Sequence, residues 1–117
     1  MRAAGHYHLD NLCVTVDLNR LQISGRTDGV MCSADLESKF RDFGFHVIQV
    51  ADGNDCGQLR AAYELAKSYQ DGPTAVIAHT VKGKGVSFME NQASWHHGVM
   101  SGEQYKQAAA EIEEVLA

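Results

Sequence analysis

Asn19 is the residue best placed to do chemistry in this chain. It sits inside Val14-Thr-Val-Asp-Leu-Asn-Arg-Leu-Gln-Ile-Ser-Gly25, where a short apolar strand runs into a turn-prone polar segment. In an open α/β sheet, ligands bind outside the carboxyl ends of the strands. The Asn amide oxygen is a hard, neutral donor suited to Mg²⁺ or Ca²⁺, and the backbone carbonyl of Leu21 could complete a turn around the ion. The same residues also fit a strand ending in an ordinary turn, where Asp and Asn are common. One amide oxygen does not make a metal site. Its partner would be a carboxylate upstream, and the chain begins too soon to supply one in the expected place, so the expectation is an incomplete site.

Two further stretches carry candidate chemistry. In Val81-Lys-Gly-Lys-Gly85 the glycines permit close backbone approach and the lysines could hold phosphates. The order of residues is not that of a Walker loop, and a flexible basic loop would look the same. In Trp95-His-His-Gly98 two adjacent histidines, His96 and His97, stand beside an aromatic residue in a glycine-flanked loop. Proton transfer, phosphate binding and metal binding are all open to them, as is the plain reading of a surface loop. His6 and His8 lie near an expected helix end, where histidine can meet the last carbonyls. They share no recognised zinc spacing with the cysteines.

Some function classes are disfavoured by the bulk properties. The 117 residues allow one domain at most, spanning 1–117, with a modest core. A net charge of −5 with interspersed signs argues against nucleic acid as a partner. No apolar run approaches the roughly 18 residues of a membrane helix, and the first residues lack the apolar stretch of a secretory signal. The three cysteines, Cys13, Cys32 and Cys56, are odd in number and form no C-x-x-C pair, which points to a reducing, cytoplasmic setting. Cys13 is expected inside a buried strand as a structural thiol.

The elements that must position these residues follow from periodicity. Leu12–Leu18, His46–Ala51 and Ala75–Thr80 read as β-branched, nearly continuous strands of a parallel sheet buried on both faces. Ser33–Phe43 reads as a helix capped by Ser33 and stopped by Gly44, with Leu36, Phe40 and Phe43 inward. A second helix runs over about Asp55–Tyr69, with a stripe of Leu59, Ala62, Tyr63, Ala66 and Tyr69. A third covers about Gly102–Leu116, with Tyr105, Ala109, Ile112 and Leu116 on one face. The alternation predicts an α/β fold, a three-layer parallel sheet with flanking helices. The loops Asn19–Cys32 and Val81–Gly102 are longer than their connections need, and both follow strands at the ligand edge.

Taken together, the phrases resemble transketolase, in the later part of its N-terminal, diphosphate-binding domain. They are His8-Leu-Asp-Asn-Leu12, Val16-Asp-Leu-Asn-Arg-Leu-Gln-Ile-Ser-Gly25, Phe40-Arg-Asp-Phe-Gly-Phe-His-Val-Ile-Gln-Val50, Pro73-Thr-Ala-Val-Ile-Ala78, and His79-Thr-Val-Lys-Gly-Lys-Gly-Val-Ser-Phe-Met-Glu-Asn91 followed by Trp95-His-His-Gly98. They stand in family order over almost the whole chain, and the last is similar to bacterial transketolases encoded as two sections. The resemblance implies a thiamine diphosphate enzyme of carbohydrate metabolism and the pentose phosphate pathway, moving a two-carbon ketol unit between sugar phosphates with Mg²⁺ or Ca²⁺. Asn19 matches the Asn that closes the family's Gly-Asp-Gly…Asn motif and would ligate the metal. Leu21 would ligate through its carbonyl, Ile23 would line the cofactor pocket, and one of His97 and His96 (His97 favoured for its Gly neighbour) would lie near diphosphate and substrate.

The departures are equally specific. The Gly-Asp-Gly half of the motif is absent, and so is the pyrimidine-binding domain, which a C-terminal transketolase section would supply. The expectation is therefore a truncated diphosphate-binding domain, inactive alone, within a homo- or hetero-oligomer. Two alternatives accompany it. One is part of a related enzyme such as deoxyxylulose-phosphate synthase. The other is an inactive remnant module that self-associates or binds a transketolase-like partner.

Overall fold

The structure, a computed structural model, describes residues 1–32 and 34–116, with the side chain of residue 116 excepted. In chain order the elements are α1 (Arg2–His6), β1 (Cys13–Asp17), β2 (Leu21–Gln22), β3 (Gly25–Arg26), α2 (Thr27–Val30), α3 (Leu36–Asp42), β4 (His46–Val50), α4 (Cys56–Ser68), β5 (Thr74–Ala78), a 3₁₀ turn (Ala93–His96) and α5 (Gly102–Leu116). They form two compact units, each assembled from separated stretches. The first is Met1–Leu18 with Ser33–Thr80, and the second is Asn19–Cys32 with Val81–Ala117.

The first unit is the expected parallel sheet, in the order β1-β5-β4. The last strand in sequence takes the centre. Thr74 of β5 stands opposite Cys13 of β1 on one side and His46 of β4 on the other, and the register continues to Ala78. Every residue of β5 is buried. Its side chains alternate between two cores, as a pleated strand requires. Ala75 and Ile77 pack with Ala4, Phe40, Phe45 and Val47, and Val76 and Ala78 pack with Val50, Ala62 and Ala66. A full burial of Val or Ile stabilises by about 1.5–3 kcal/mol. The layers are thus α1 and α3, the sheet, and α4.

Local chemistry fixes the helix ends. Asp55 caps α4 by accepting from Gly57 N at 2.6 Å and Gln58 N at 3.1 Å, where a helix N-terminus has unpaired donors. These bonds hold its carboxyl below the usual carboxylate range. The expected α4 stripe holds at Ala62 and Ala66, which are buried, and at Leu59, which packs on that core. Tyr63 instead reaches outward, its hydroxyl 3.1 Å from Thr15 Oγ1. Tyr69 stacks on His46. Gly44 terminates α3 with φ +80°, a left-handed position that suits glycine.

Three expectations need correction. The cap of α3 is Asp35, whose side chain accepts from Ser38 N, and the helix begins at Leu36. Ser33, expected as the cap, lies outside the described residues. Phe43 falls at the C-cap, beyond the helical turn that would turn it inward, and is 38% exposed. Cys13 is exposed, because β1 is an edge strand here: Val14 and Val16 pack on one core, while Cys13, Thr15 and Asp17 face away from it. Partial burial still raises the Cys13 thiol pKa. Cys13 and Cys56 are free thiols. Among the described residues no helix is long and apolar enough to cross a membrane.

In the second unit, α5 has the expected bounds but a different inward face. Ala108 is buried. Glu111 accepts from Ser87 N at 2.6 Å and from Ser87 Oγ at 2.7 Å, and Gln107 Nε2 donates to Glu111 at 2.8 Å. The predicted stripe is displaced outward, with Tyr105 at 64% and Ile112 at 46% exposure. These polar bonds, absent from any hydrophobic periodicity, set the rotation of the helix.

The packing makes stability testable at two positions. Gly5 lies inside α1, where Ala ordinarily stabilises a helix by about 1 kcal/mol. A Cβ there would stand 1.8 Å from the Phe43 carbonyl oxygen, so Gly5→Ala is expected to destabilise by about 2 kcal/mol or more in urea unfolding. The Glu111 carboxyl is held below its ordinary value of 4.5, first by the Ser87 N–H, then by the Ser87 hydroxyl and Gln107. A lowered folded value gives stability that is present above 4.5 and lost as pH falls through the folded value. The Tm difference between the chain and Glu111→Gln should therefore be largest at neutral pH and shrink below it.

Candidate functional site

The second unit holds all five residues singled out by the sequence: Asn19, Leu21, Ile23, His96 and His97. The stretch expected as a long loop contains a hairpin. Leu21 pairs with Arg26 and Gln22 with Gly25, leaving Ile23-Ser24 as the turn. Gly25 takes φ +128°, which suits the residue without a Cβ. Gln22 Nε2 donates to Ser24 Oγ at 2.8 Å across the turn. Arg26 closes the base of the hairpin on Asp28 at 2.8 Å, an exposed pair worth little in stability.

The approach to the hairpin is a tight turn. Asn19 Oδ1 accepts from Leu21 N at 2.9 Å, and Arg20 between them adopts φ +61°, a left-handed conformation that costs a non-glycine residue about 1 kcal/mol or more. Thr27 N donates to Arg20 O at 3.0 Å. That bond marks Arg20 and Thr27 as a hydrogen-bonded pair. By antiparallel alternation Leu21 and Arg26 are then a non-bonded pair, whose N–H and C=O groups point away from the partner strand. The Leu21 N–H accordingly meets Asn19, and the Leu21 carbonyl faces outward.

This geometry suits a hard cation. The turn fixes the half-buried Asn19 amide two residues from an outward main-chain carbonyl, so both oxygens are held in place before any ion arrives. An amide oxygen carries two lone pairs, so the turn bond does not by itself bar a cation. Among the described residues no cluster of three His, Cys, Asp or Glu side chains could hold an ion without outside help. An ion at this turn would need ligands beyond the Asn19 and Leu21 oxygens. Asp17, in the first unit, accepts from the Thr80 hydroxyl. Ile23 at the hairpin tip is 63% exposed.

The structure also brings β2 against the 3₁₀ turn, so the strand carrying Leu21 lies beside the turn carrying His96. Trp95 anchors that turn: its Nε1 donates to the Phe88 carbonyl at 3.1 Å, and its ring lies 5.4 Å from that of Phe88. A Cβ on Gly98 would come within 2.8 Å of the Trp95 ring, so glycine is required there. His96 and His97 are exposed, their rings 6.2 Å apart and nearly perpendicular.

The lysine–glycine loop is already engaged. Lys84 Nζ lies 3.5 Å from Glu90 Oε1, which also accepts from Gly85 N at 3.1 Å. The Gly85 N–H and then Lys84 hold the Glu90 carboxyl below its usual range. Gly83 at φ +74° packs so closely on Met89 that a Cβ would meet its carbonyl oxygen at 2.6 Å. The loop therefore holds its own carboxylate where the sequence suggested a phosphate. Sequence reasoning missed Glu90 in this role and the left-handed Arg20, whose residue type gives no signal for that conformation. It also missed a chain of side-chain bonds in the first unit, in which His79 Nε2 lies 3.0 Å from Gln49 Oε1 and Gln49 Nε2 donates to Glu37 at 2.9 Å.

Comparison with known proteins places this geometry in a family. The sequence model described as "Transketolase, thiamine diphosphate binding domain" matches residues 1–112. An apulose-4-phosphate transketolase subunit from Phocaeicola vulgatus is 40% identical over 112 residues, covering 96% of this chain and 40% of its own length. The 6-deoxy-6-sulfo-D-fructose transketolase subunit SqwG of Clostridium sp. strain MSTE9 is 39% identical over 110 residues, 94% of this chain and 40% of its own. The crystal structure of transketolase from Campylobacter jejuni superposes with a TM-score of 0.88 and 28% identity, over 96% of this chain and 17% of that one. The chain spans about 40% of the length of these curated relatives. With a family match over nearly all of its residues and the same α/β fold, the chain belongs to the transketolase thiamine diphosphate-binding domain family.

Proposed function

We propose that this chain supplies part of the thiamine diphosphate site of a cytoplasmic transketolase. The whole enzyme transfers a two-carbon ketol unit between sugar phosphates. The reading rests above all on the Asn19–Leu21 turn, which holds an amide oxygen and an outward carbonyl beside the histidine-bearing turn. Asn19 Oδ1 and the Leu21 carbonyl would ligate Mg²⁺ or Ca²⁺, neutralising a diphosphate that binds weakly without a divalent ion. When bound, thiamine diphosphate supplies the carbanion-stabilising chemistry of ketol transfer.

The remaining residues bind and orient. Ile23, exposed at the hairpin tip, offers apolar surface to a cofactor ring. His97 is favoured over His96 as the imidazole donating N–H to a phosphate or substrate oxygen. It follows the anchored turn and precedes Gly98, whose contact with Trp95 fixes the chain there. Among the described residues no cluster of three His, Cys, Asp or Glu could hold the ion; the Asp of the upstream Gly-Asp-Gly half of the motif would add the carboxylate, and a C-terminal transketolase section would add the pyrimidine-binding domain. The relatives' names support this, since both are subunits of transketolases. They also support an anionic ketose as substrate, because a phosphate appears in one name and a sulfo group in the other. The same names favour transketolase over deoxyxylulose-phosphate synthase.

Calorimetric titration of thiamine diphosphate with Mg²⁺ tests the reading. Asn19→Ala should weaken binding by about tenfold or more, and His97→Ala should weaken it more than His96→Ala. Binding unaffected by Asn19→Ala would remove the assignment. The chain by itself should show no ketol transfer, and turnover by the purified chain would overturn the requirement for a partner section.

A further inference from the structure

The chain leaves the parallel sheet after Leu18 and again after Thr80, and Asn19 and Val81 begin the two stretches of the second unit. Both departures lie at the carboxyl ends of adjacent strands, where Asp17 of β1 stands opposite Ala78 of β5. One further ladder bond follows, from Leu18 N to the Ala78 carbonyl at 2.8 Å. Among the described residues no strand pairs with the other side of β1. The end of such an edge strand opens at low cost in free energy. What grips that end therefore decides how firmly the Asn19 turn is held.

Leu18 and Asp17 grip it from opposite faces. Leu18 packs on the core that contains Phe40, Val47 and Ile77. Asp17, on the other face, accepts a hydrogen bond from the Thr80 hydroxyl. The second branch of Thr80 is held as well. A Cβ on Gly53 would stand 2.6 Å from the Thr80 methyl, so the glycine makes room for that methyl beneath the loop after β4. Gly53 N donates to the His79 carbonyl at 2.7 Å, which ties the same loop to the end of β5. Both branches of this stiff side chain are thus engaged, the methyl toward the β4 loop and the hydroxyl toward β1. One residue beyond Leu18, the Asn19 amide oxygen takes the Leu21 N–H.

We propose that Asp17 and Thr80 are positioning residues, whose bond fixes the end of β1 and with it the Asn19 turn. The consequence for cofactor binding rests on the reading of Asn19 as a metal ligand. The order of the turn itself is measurable without any ligand.

Hydrogen exchange of the Leu21 amide in the ligand-free chain, followed by NMR, tests the proposal, with Asn19→Ala marking full loss of the turn bond. Thr80→Val removes the hydroxyl and keeps the shape. It should speed Leu21 exchange about tenfold and leave the β5 amides protected. Thr80→Ser keeps the hydroxyl and should preserve slow Leu21 exchange, although the lost methyl lowers Tm by about 4 °C. Asp17→Ala should match Thr80→Val, and the double variant should be no worse than either. A merely structural role would make the turn follow Tm, with Thr80→Ser the worse variant. Unchanged Leu21 exchange in Thr80→Val, an equal loss in Thr80→Ser, or additive losses in the double variant would each overturn the proposal. Titration of the same variants with thiamine diphosphate and Mg²⁺ separates this proposal from the cofactor reading. Binding weakened about threefold by Thr80→Val supports both. Faster Leu21 exchange with unchanged binding supports the positioning of the turn and removes the cofactor assignment of Asn19.

Discussion

The first unit depends on the complete burial of β5. Thr74-Ala-Val-Ile-Ala78 is bonded to a parallel strand on each side and covered on each face, so its backbone groups and its side chains are all accounted for inside the protein. Its composition suits this. Val76 and Ile77 fill the two cores, while Ala75 and Ala78 let neighbours approach. A polar or bulky residue at any of these positions would leave an unpaired group or an overpacked layer. The helices on both faces and both outer strands take their positions from this one strand.

A two-residue hairpin governs the second unit in a different way. It has almost no core of its own, and its shape comes from backbone bonds and one strained residue. Arg20 holds a conformation that its side chain does not favour, between an Asn whose amide folds back onto the chain and the strand residue whose N–H that amide accepts. Strain of this kind persists where the surrounding bonds over-determine it. Here the Arg20–Thr27 bond and the Asn19 turn bond do so from the two sides. The result is a turn whose Asn19 amide oxygen is fixed by its own backbone before any ligand arrives.

Much of this is legible in the sequence because the relevant signals are periodic. The three strands of the parallel sheet and α4 show continuous apolar runs, a 3.6-residue stripe and an Asp cap, and the structure keeps them within a residue or so. What is illegible has no period. The hairpin is too short to alternate. The left-handed Arg20 has no residue-type signature. The pairing of Lys84 with Glu90 depends on how the loop folds back rather than on either neighbour in sequence. Cys13 escapes sequence reasoning because a strand's exposure depends on which strands stand beside it, and its own composition is silent on that. The rotation of α5 escapes it too, because Ser87 and Glu111 outweigh the apolar stripe. The site residues emerge through resemblance, and spacing alone leaves the metal and turn readings of Asn19 side by side.

The central position of the last strand has a consequence for the order of folding. Strand β5 meets β4 across about thirty residues of chain, most of them in α4 and its flanks, but meets β1 across about sixty. Loop closure costs more for the longer span, though only slowly with length. The shorter segment, β4 through α4 to β5, also brings its own core of Val50, Ala62, Ala66, Val76 and Ala78. That segment can therefore collapse first and present a finished edge. β1 can then dock on that edge as the last strand to join the sheet.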